Sequence, residues 1–364
     1  MVALRAKTGI DQIRPHMIGD TGGTWPPASI FLNSNESAYG PSPHAITAAR
    51  AAVTGIARYL ENPDGALAPV IAKRFGLRDN QITIGHGSDD LLARLARAYL
   101  GPGTELIRSA NGYLKVPNYA HANDAAVVSV PDDNFRPSVD RMIAAITERT
   151  RIVYLANPEN PAGTYLPGAE VRRLHAAMPE HVLLIIDCAY EEYVDATDYE
   201  PGHRLVEEAG NVVMCRTFSK IFGLAGARVG WIYGPHDVID VLRRIALTFP
   251  VAAPSAAAAV AALEDRGHTK FVYDANLASR RRLSAQLQEL GLEVVPSQTN
   301  FVLVKFSDPH KSAAAASDAL RAEGIAVRRF GTPTYQDYIR ITIGLPEELD
   351  ACVSAISSFL ETRT

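Results

Sequence analysis

The chain has 364 residues, enough for two domains rather than one small core. It is 47% hydrophobic and 21% charged, with a net charge of −4, so it lacks the basic surplus that a nucleic-acid partner demands. Three unpatterned cysteines, Cys188, Cys215 and Cys352, indicate neither a disulfide framework nor a metal site.

The first residues, Met-Val-Ala-Leu-Arg-Ala-Lys, hold no apolar stretch of signal-peptide length, and the Ala-rich run Ser255–Leu263 is too short to span a membrane. A cytoplasmic protein acting on small molecules is expected. No fixed-period repeat is present. Short β-rich runs are expected at Gln81–Gly85, Glu105–Arg108, Ala125–Val130, Arg151–Ala156, Val182–Ile186, Asn211–Cys215 and Val229–Tyr233. Helical patterns such as Asp90–Leu100 and Asp140–Ile146 lie between them. This alternation predicts an α/β domain with a mostly parallel sheet, whose ligands gather beyond the C-terminal strand ends. After about Pro250–Pro254 a long helical stretch runs through Arg280–Leu290. Strand candidates Phe301–Phe306, Ile325–Arg328 and Ile339–Ile343 follow, which suits a smaller α+β domain.

Residues that can carry chemistry sit at the predicted strand ends. Gly85-His-Gly-Ser-Asp89 closes one strand and opens a helix, a place where free N–H groups and the helix dipole attract an anion. Position 90 is Asp, not the third glycine of a dinucleotide fingerprint. Asn157-Pro-Glu-Asn-Pro-Ala-Gly163 reads as a rigid loop able to present the Asn157 amide, or simply as a turn. Asp187 ends an apolar strand and needs a cation, either an arginine or a protonated pyridine nitrogen. In Arg216-Thr-Phe-Ser-Lys-Ile-Phe-Gly-Leu-Ala-Gly-Ala-Arg228, Lys220 follows a strand. Thr217, Ser219 and Arg228 stand around it to receive a phosphate. Arg340, among alternating apolar neighbours, suits a carboxylate.

Together these segments resemble the fold-type I pyridoxal-phosphate aminotransferases of class I/II, and within them the histidinol-phosphate aminotransferase family. The resemblance runs from about Leu32 to Gly344. It rests on Leu32-Asn-Ser-Asn-Glu-Ser-Ala-Tyr-Gly-Pro-Ser-Pro43, Arg58-Tyr59, the glycine turn at 85–89, the loop at 157–163, Asp187-Cys-Ala-Tyr190, Ser219-Lys220 with Gly-Leu-Ala-Gly-Ala-Arg228, Asn300-Phe301 and Arg340-Ile-Thr-Ile-Gly344.

The resemblance implies a large domain with a mostly parallel seven-stranded sheet (36–250), a smaller α+β domain (251–364) and an N-terminal arm (1–35) joining the small domain. It implies that Lys220 carries pyridoxal 5′-phosphate as a Schiff base and that Asp187 pairs with the pyridine nitrogen. Tyr190 and Asn157 would bond the ring oxygen, and Tyr113 would stack on the ring. Gly87, Ser88, Thr217, Ser219 and Arg228 would hold the phosphate. Tyr59 would reach the cofactor phosphate of a second subunit, making a homodimer with shared sites. Arg340 would take the substrate carboxylate, Asn35 would lie in the N-terminal segment that folds over the substrate, and Arg328 and Arg329 are candidate further cations for a phosphorylated donor. The implied reaction is transamination between an amino donor, histidinol phosphate first, and 2-oxoglutarate.

The sequence departs from the family pattern at His86, Leu60, Cys188 and Ala110-Asn-Gly-Tyr-Leu-Lys-Val116, which bears on the substrate. An aromatic or other amino-acid aminotransferase, or a lyase resembling threonine-phosphate decarboxylase, are the alternatives within the fold. A lysine-dependent aldolase without the cofactor would not need the anion turn or Asp187. A binding module that had lost activity would not need Lys220.

Overall fold

The computed structural model describes residues 4–13 and 28–362. Its strands are β1 Ile30–Leu32, β2 Ile82–Gly85, β3 Glu105–Ser109, β4 Ala126–Val130, β5 Thr150–Ala156, β6 Leu183–Asp187, β7 Val212–Thr217, β8 Gly230–Tyr233, β9 Glu293–Val295, β10 Phe301–Lys305, β11 Ile325–Arg329 and β12 Tyr338–Thr342. The α-helices are α1 Pro43–Val53, α2 Pro63–Phe75, α3 Gly87–Tyr99, α4 Val116–His121, α5 Val139–Ala144, α6 Gly168–Ala176, α7 Gly202–Glu208, α8 His236–Arg244, α9 Ala253–Glu264, α10 Arg266–Glu289, α11 Ala313–Ala322 and α12 Pro346–Glu361.

Seven strands form one sheet in the order β2-β8-β7-β6-β5-β3-β4. The pairs from β7 to β4 are parallel, and β8 runs antiparallel to both β2 and β7. Two reversals restore direction, so β2 ends on the same edge as β5, β6 and β7. Successive residues of the central strands face opposite sides. Leu184, Ile186 and Met214 enter one core, while Leu183, Ile185 and Val213 enter the other. Each such aliphatic side chain contributes about 1.5–3 kcal/mol by its burial. This is the α/β architecture expected from the sequence, and each of the seven expected runs is a strand of this sheet.

The second sheet has the order β1-β11-β12-β10-β9, with β1 parallel to β11 and the other pairs antiparallel. Helices α11 and α12 cover its core. Helix α9, beyond the expected boundary at 250, packs against α1 and α2 in the core of the larger sheet. Of the expected N-terminal arm, residues 1–3 and 14–27 lie outside the described residues. The 3-10 turn Thr8–Gln12 sits beside α4, where the Gly9 N–H donates to Asp124 Oδ1 at 2.7 Å, and only β1 joins the smaller sheet.

Candidate active site

The cradle begins where β2 turns into α3. Gly87 takes φ +78°, a left-handed conformation, and a Cβ there would collide with the Arg228 guanidinium. The first turn of α3 leaves N–H groups without intrahelical partners, and they point where an anion is stabilised. Gly230 of β8 lets that turn come close, since a Cβ on it would stand 2.5 Å from the Ser88 nitrogen. Arg228, itself at φ +53°, donates to Ala225 O at 3.0 Å and Ser219 Oγ at 3.3 Å. Thr217 Oγ1 donates to Ser219 Oγ at 3.0 Å. Gly87, Arg228, Thr217 and Ser219 thus form one cluster of donors, with Ser88 on the same helix turn.

Asp187 ends β6 and is buried. It accepts from Tyr154 Oη at 2.7 Å and from the Ala189 N–H at 3.2 Å. Burial pushes its carboxyl up to about 6, against the lowering effect of those bonds. Tyr154, which in sequence is one more aromatic in an apolar strand, fixes one carboxylate oxygen.

Half-buried Lys220 places Nζ 3.2 Å from Asn35 O and 3.4 Å from Ser34 O, 5.6 Å from the centre of the Tyr190 ring. Desolvation first, then the charge of Arg340, pull its ammonium down to about 8. Tyr190 Oη accepts from Asn35 Nδ2 at 3.0 Å, and its phenol is pushed up to about 12 by burial. Asn35 takes φ +55°, with its N–H donating to Thr342 Oγ1 at 3.0 Å. Asn300 Nδ2 donates to Asn35 O at 3.1 Å and so holds the same turn. On the other side, Tyr113 Oη donates to Asp89 Oδ1 at 3.1 Å, and Tyr119 Oη shares that oxygen at 2.6 Å.

The loop after β5 corrects one expectation. The Asn157 carboxamide is spent on the backbone of Leu166, accepting its N–H at 2.9 Å and donating to its carbonyl at 3.1 Å. Asn160 is the residue that faces the cradle. Its Nδ2 reaches Tyr190 Oη at 3.4 Å, and its Oδ1 accepts from Arg340 Nη1 at 2.6 Å. The sequence carries both asparagines before prolines, and the choice between them is conformational.

Arg340 is buried on β12, with Nη2 donating to Asn33 O at 2.9 Å and Nε without a partner. Its guanidinium lies 5.1 Å from the Phe301 ring and 5.5 Å from Phe330. Burial pulls it down to about 10, and the like charge of Arg328 adds to this. Arg328 stands directly across from Arg340 on β11, on the same sheet face. Arg329, the next residue, faces the opposite side and is exposed, so the structure does not bring it to Arg340. Tyr59 is likewise outside the cradle of this chain, 73% exposed and stacked on Phe249 at 4.0 Å. Among the described residues no cluster of His, Cys, Asp or Glu is suited to a metal ion, and no helix is long and apolar enough to cross a membrane.

A half-buried amine of lowered pKa, an anion cradle and a buried carboxylate suit an enzyme that works through a phosphorylated carbonyl cofactor. Residues 28–356 match the family model of aminotransferase class I and II. The histidinol-phosphate aminotransferase of Paramagnetospirillum magneticum is 45% identical over 364 residues, covering 99% of each chain. That of Rhodospirillum centenum is 44% identical over 97% of this chain and 98% of its own. A solved histidinol-phosphate aminotransferase from Sinorhizobium meliloti, in complex with pyridoxal-5′-phosphate, superposes with a TM-score of 0.87 at 31% identity, over 92% of this chain and 91% of that one. The chain belongs to the aminotransferase class I and II family. It is an aminotransferase of fold type I, and enzymes of this class use pyridoxal phosphate.

Proposed function

We propose that the protein transfers an amino group from histidinol phosphate to 2-oxoglutarate, with pyridoxal phosphate held in the cradle around Lys220. The observation that carries the reading is the convergence of Lys220, Asp187 and the Gly87–Arg228 donors on one edge of the sheet. These residues fit the cofactor by charge and shape: a glycine whose missing Cβ lets the Arg228 guanidinium close on the helix turn, and a buried carboxylate for a pyridinium. When bound, pyridoxal phosphate supplies an electron sink for the carbon that loses its proton.

The chain's own groups do the rest. The helix turn at Gly87 and Ser88, with Thr217, Ser219 and Arg228, binds the phosphate. Asp187, held by Tyr154, keeps the ring nitrogen protonated. Tyr190 and Asn160 would donate to the cofactor's ring oxygen, and Tyr113 would cover its ring. Lys220 would hold the cofactor's carbonyl carbon and, with its amine freed, would act as general base at the substrate Cα, a role its lowered pKa suits. Arg340 and Asn160 receive the carboxylate of the 2-oxo acid. Arg328, across the strand pair from Arg340, adds the second positive charge that a phosphorylated donor needs.

We also read the protein as a homodimer. Val53, Ile56, Tyr59, Leu247 and Phe249 are exposed apolar residues, and a groove of about 300 Å³ lies between α1 and α9. A second copy covering this surface would bring Tyr59 to a cofactor phosphate. The larger sheet with α1–α9 would be one domain and the smaller sheet with α11 and α12 the other, with the long α10 between them. Three buried free cysteines suit the cytoplasm.

The test is the first half-reaction, followed by the visible absorbance of the cofactor-loaded protein as donors are added singly. Histidinol phosphate is expected to bleach the visible band within seconds, with phenylalanine and aspartate at least about 100-fold slower, the discrimination that a site built for charged groups achieves. A band that bleaches only with an aromatic or acidic amino acid would refute the donor and leave the transamination standing.

A further inference from the structure

Beside the cradle lies a buried acid that the reaction above leaves unused. Glu159 is 2% exposed, and its Oε1 accepts the backbone N–H of Asn160 at 2.9 Å. Gly112 presses on the same carboxyl group, where an added Cβ would stand 2.9 Å from Oε1. Glu159 therefore touches both the loop that carries Asn160 and the loop that carries Tyr113. Charged groups of both signs stand near it. Arg108 at the end of β3 is buried, with Nε and Nη2 unpartnered, and supplies a positive potential. Asp132 accepts from Ser109 Oγ at 2.6 Å, and Tyr335 Oη donates to Asn111 O at 3.0 Å. Burial, with Asp132 adding to it, pushes the Glu159 carboxyl up to about 8, so near neutrality it is largely the uncharged acid. The bond to Asn160 needs only an acceptor oxygen, which the acid retains.

We propose that Glu159 is a positioning residue for carboxylate recognition. By fixing the Asn160 backbone it sets the Asn160 carboxamide against Arg340. The geometry limits what else holds that carboxamide: it makes one strong contact, to Arg340 Nη1, and a long one to Tyr190 Oη. Without the Glu159 oxygen the half-buried Asn160 N–H loses its partner, and the loop shifts to recover one. The proposal rests on the reading of Arg340 as the carboxylate site.

The experiment measures maleate, a dicarboxylate that cannot react, binding to the cofactor-loaded enzyme by calorimetry, alongside kcat and KM for 2-oxoglutarate. Glu159→Ala is expected to raise the maleate Kd and the 2-oxoglutarate KM about five- to tenfold, the worth of one hydrogen bond. Its kcat should stay within about twofold, since uniform binding is what is lost. Glu159→Gln, which keeps an oxygen at the same place, is expected to restore wild-type binding. If Glu159→Ala does not yield folded protein, Glu159→Asp, with its oxygen withdrawn by one methylene, takes its place with the same expected weakening. Wild-type Kd in Glu159→Ala, or equal losses in Ala and Gln variants, would overturn the proposal. Arg340→Ala separates the two layers. If it weakens maleate binding while Glu159→Ala does not, only the role of Glu159 fails. If Arg340→Ala binds maleate normally, the carboxylate reading fails and takes the proposal with it.

Discussion

Lys220→Ala is expected to lower kcat by at least about 10⁴-fold, because one amine serves both as covalent tether and as general base. The loss follows from geometry. Nζ stands against the Asn35 carbonyl and over the Tyr190 ring, and no other lysine is placed with it in the cradle among the described residues. The pH dependence of the cofactor-free protein follows from the same surroundings. Desolvation and Arg340 bring the Lys220 ammonium down to about 8, so the neutral, nucleophilic form accumulates as pH rises through 8. Capture of an added aldehyde should therefore quicken about tenfold per pH unit below 8 and level off above it. Steady-state rates of the variant and stopped-flow capture by the wild type check the two halves. A variant retaining more than about a hundredth of the activity would remove Lys220 from the mechanism.

Arg216→Leu is expected to be the most destabilising single change outside the cradle, at about 3–5 kcal/mol. Arg216 on β7 is 2% exposed, donates to Glu191 at 2.5 Å and also pairs with Glu192. Its guanidinium lies 4.7 Å from the Phe75 ring and 5.3 Å from Trp231. Removing it strands two carboxylates that follow directly on Tyr190. Burial already pushes the Glu192 carboxyl up, and Arg216 is the largest influence opposing that rise. A carboxyl raised in the fold favours the folded state only while protonated, so the variant's deficit should grow as pH rises from acid to neutral. Denaturant melts at several pH values measure this. A deficit that is constant with pH would assign the loss to packing on the rings instead of to charge.

Much of the scaffold was legible because buried parallel strands are apolar runs between helical patterns, and β5 and β6 carry that mark most clearly. β1 and β9 were not, since three residues each, Ile30–Leu32 and Glu293–Val295, are too few to show a period. β1 becomes a strand only by pairing with the distant β11, and β9 by pairing with β10, the strand that follows it. In the site, Lys220, Asp187, Tyr190 and Arg228 could be picked out because a charged or polar residue at the end of an apolar strand, or a glycine turn, demands an explanation. Asn157 and Asn160 could not be told apart, since which amide turns inward depends on the path of the loop. Strand alternation could have separated Arg328 from Arg329 once β12 was known to run beside them. Tyr154 gave no signal, because an aromatic in a strand reads as core.

The central claim is that Lys220 is the attachment point of pyridoxal phosphate, and its most direct test is covalent. The purified protein is mixed with pyridoxal phosphate, its visible spectrum recorded, and the adduct reduced with borohydride and mapped by peptide mass. A visible band at one cofactor per chain, with the label on the peptide that contains Lys220 and no band in Lys220→Ala, is the predicted result. A label spread over surface lysines, or a band that persists in Lys220→Ala, would contradict it.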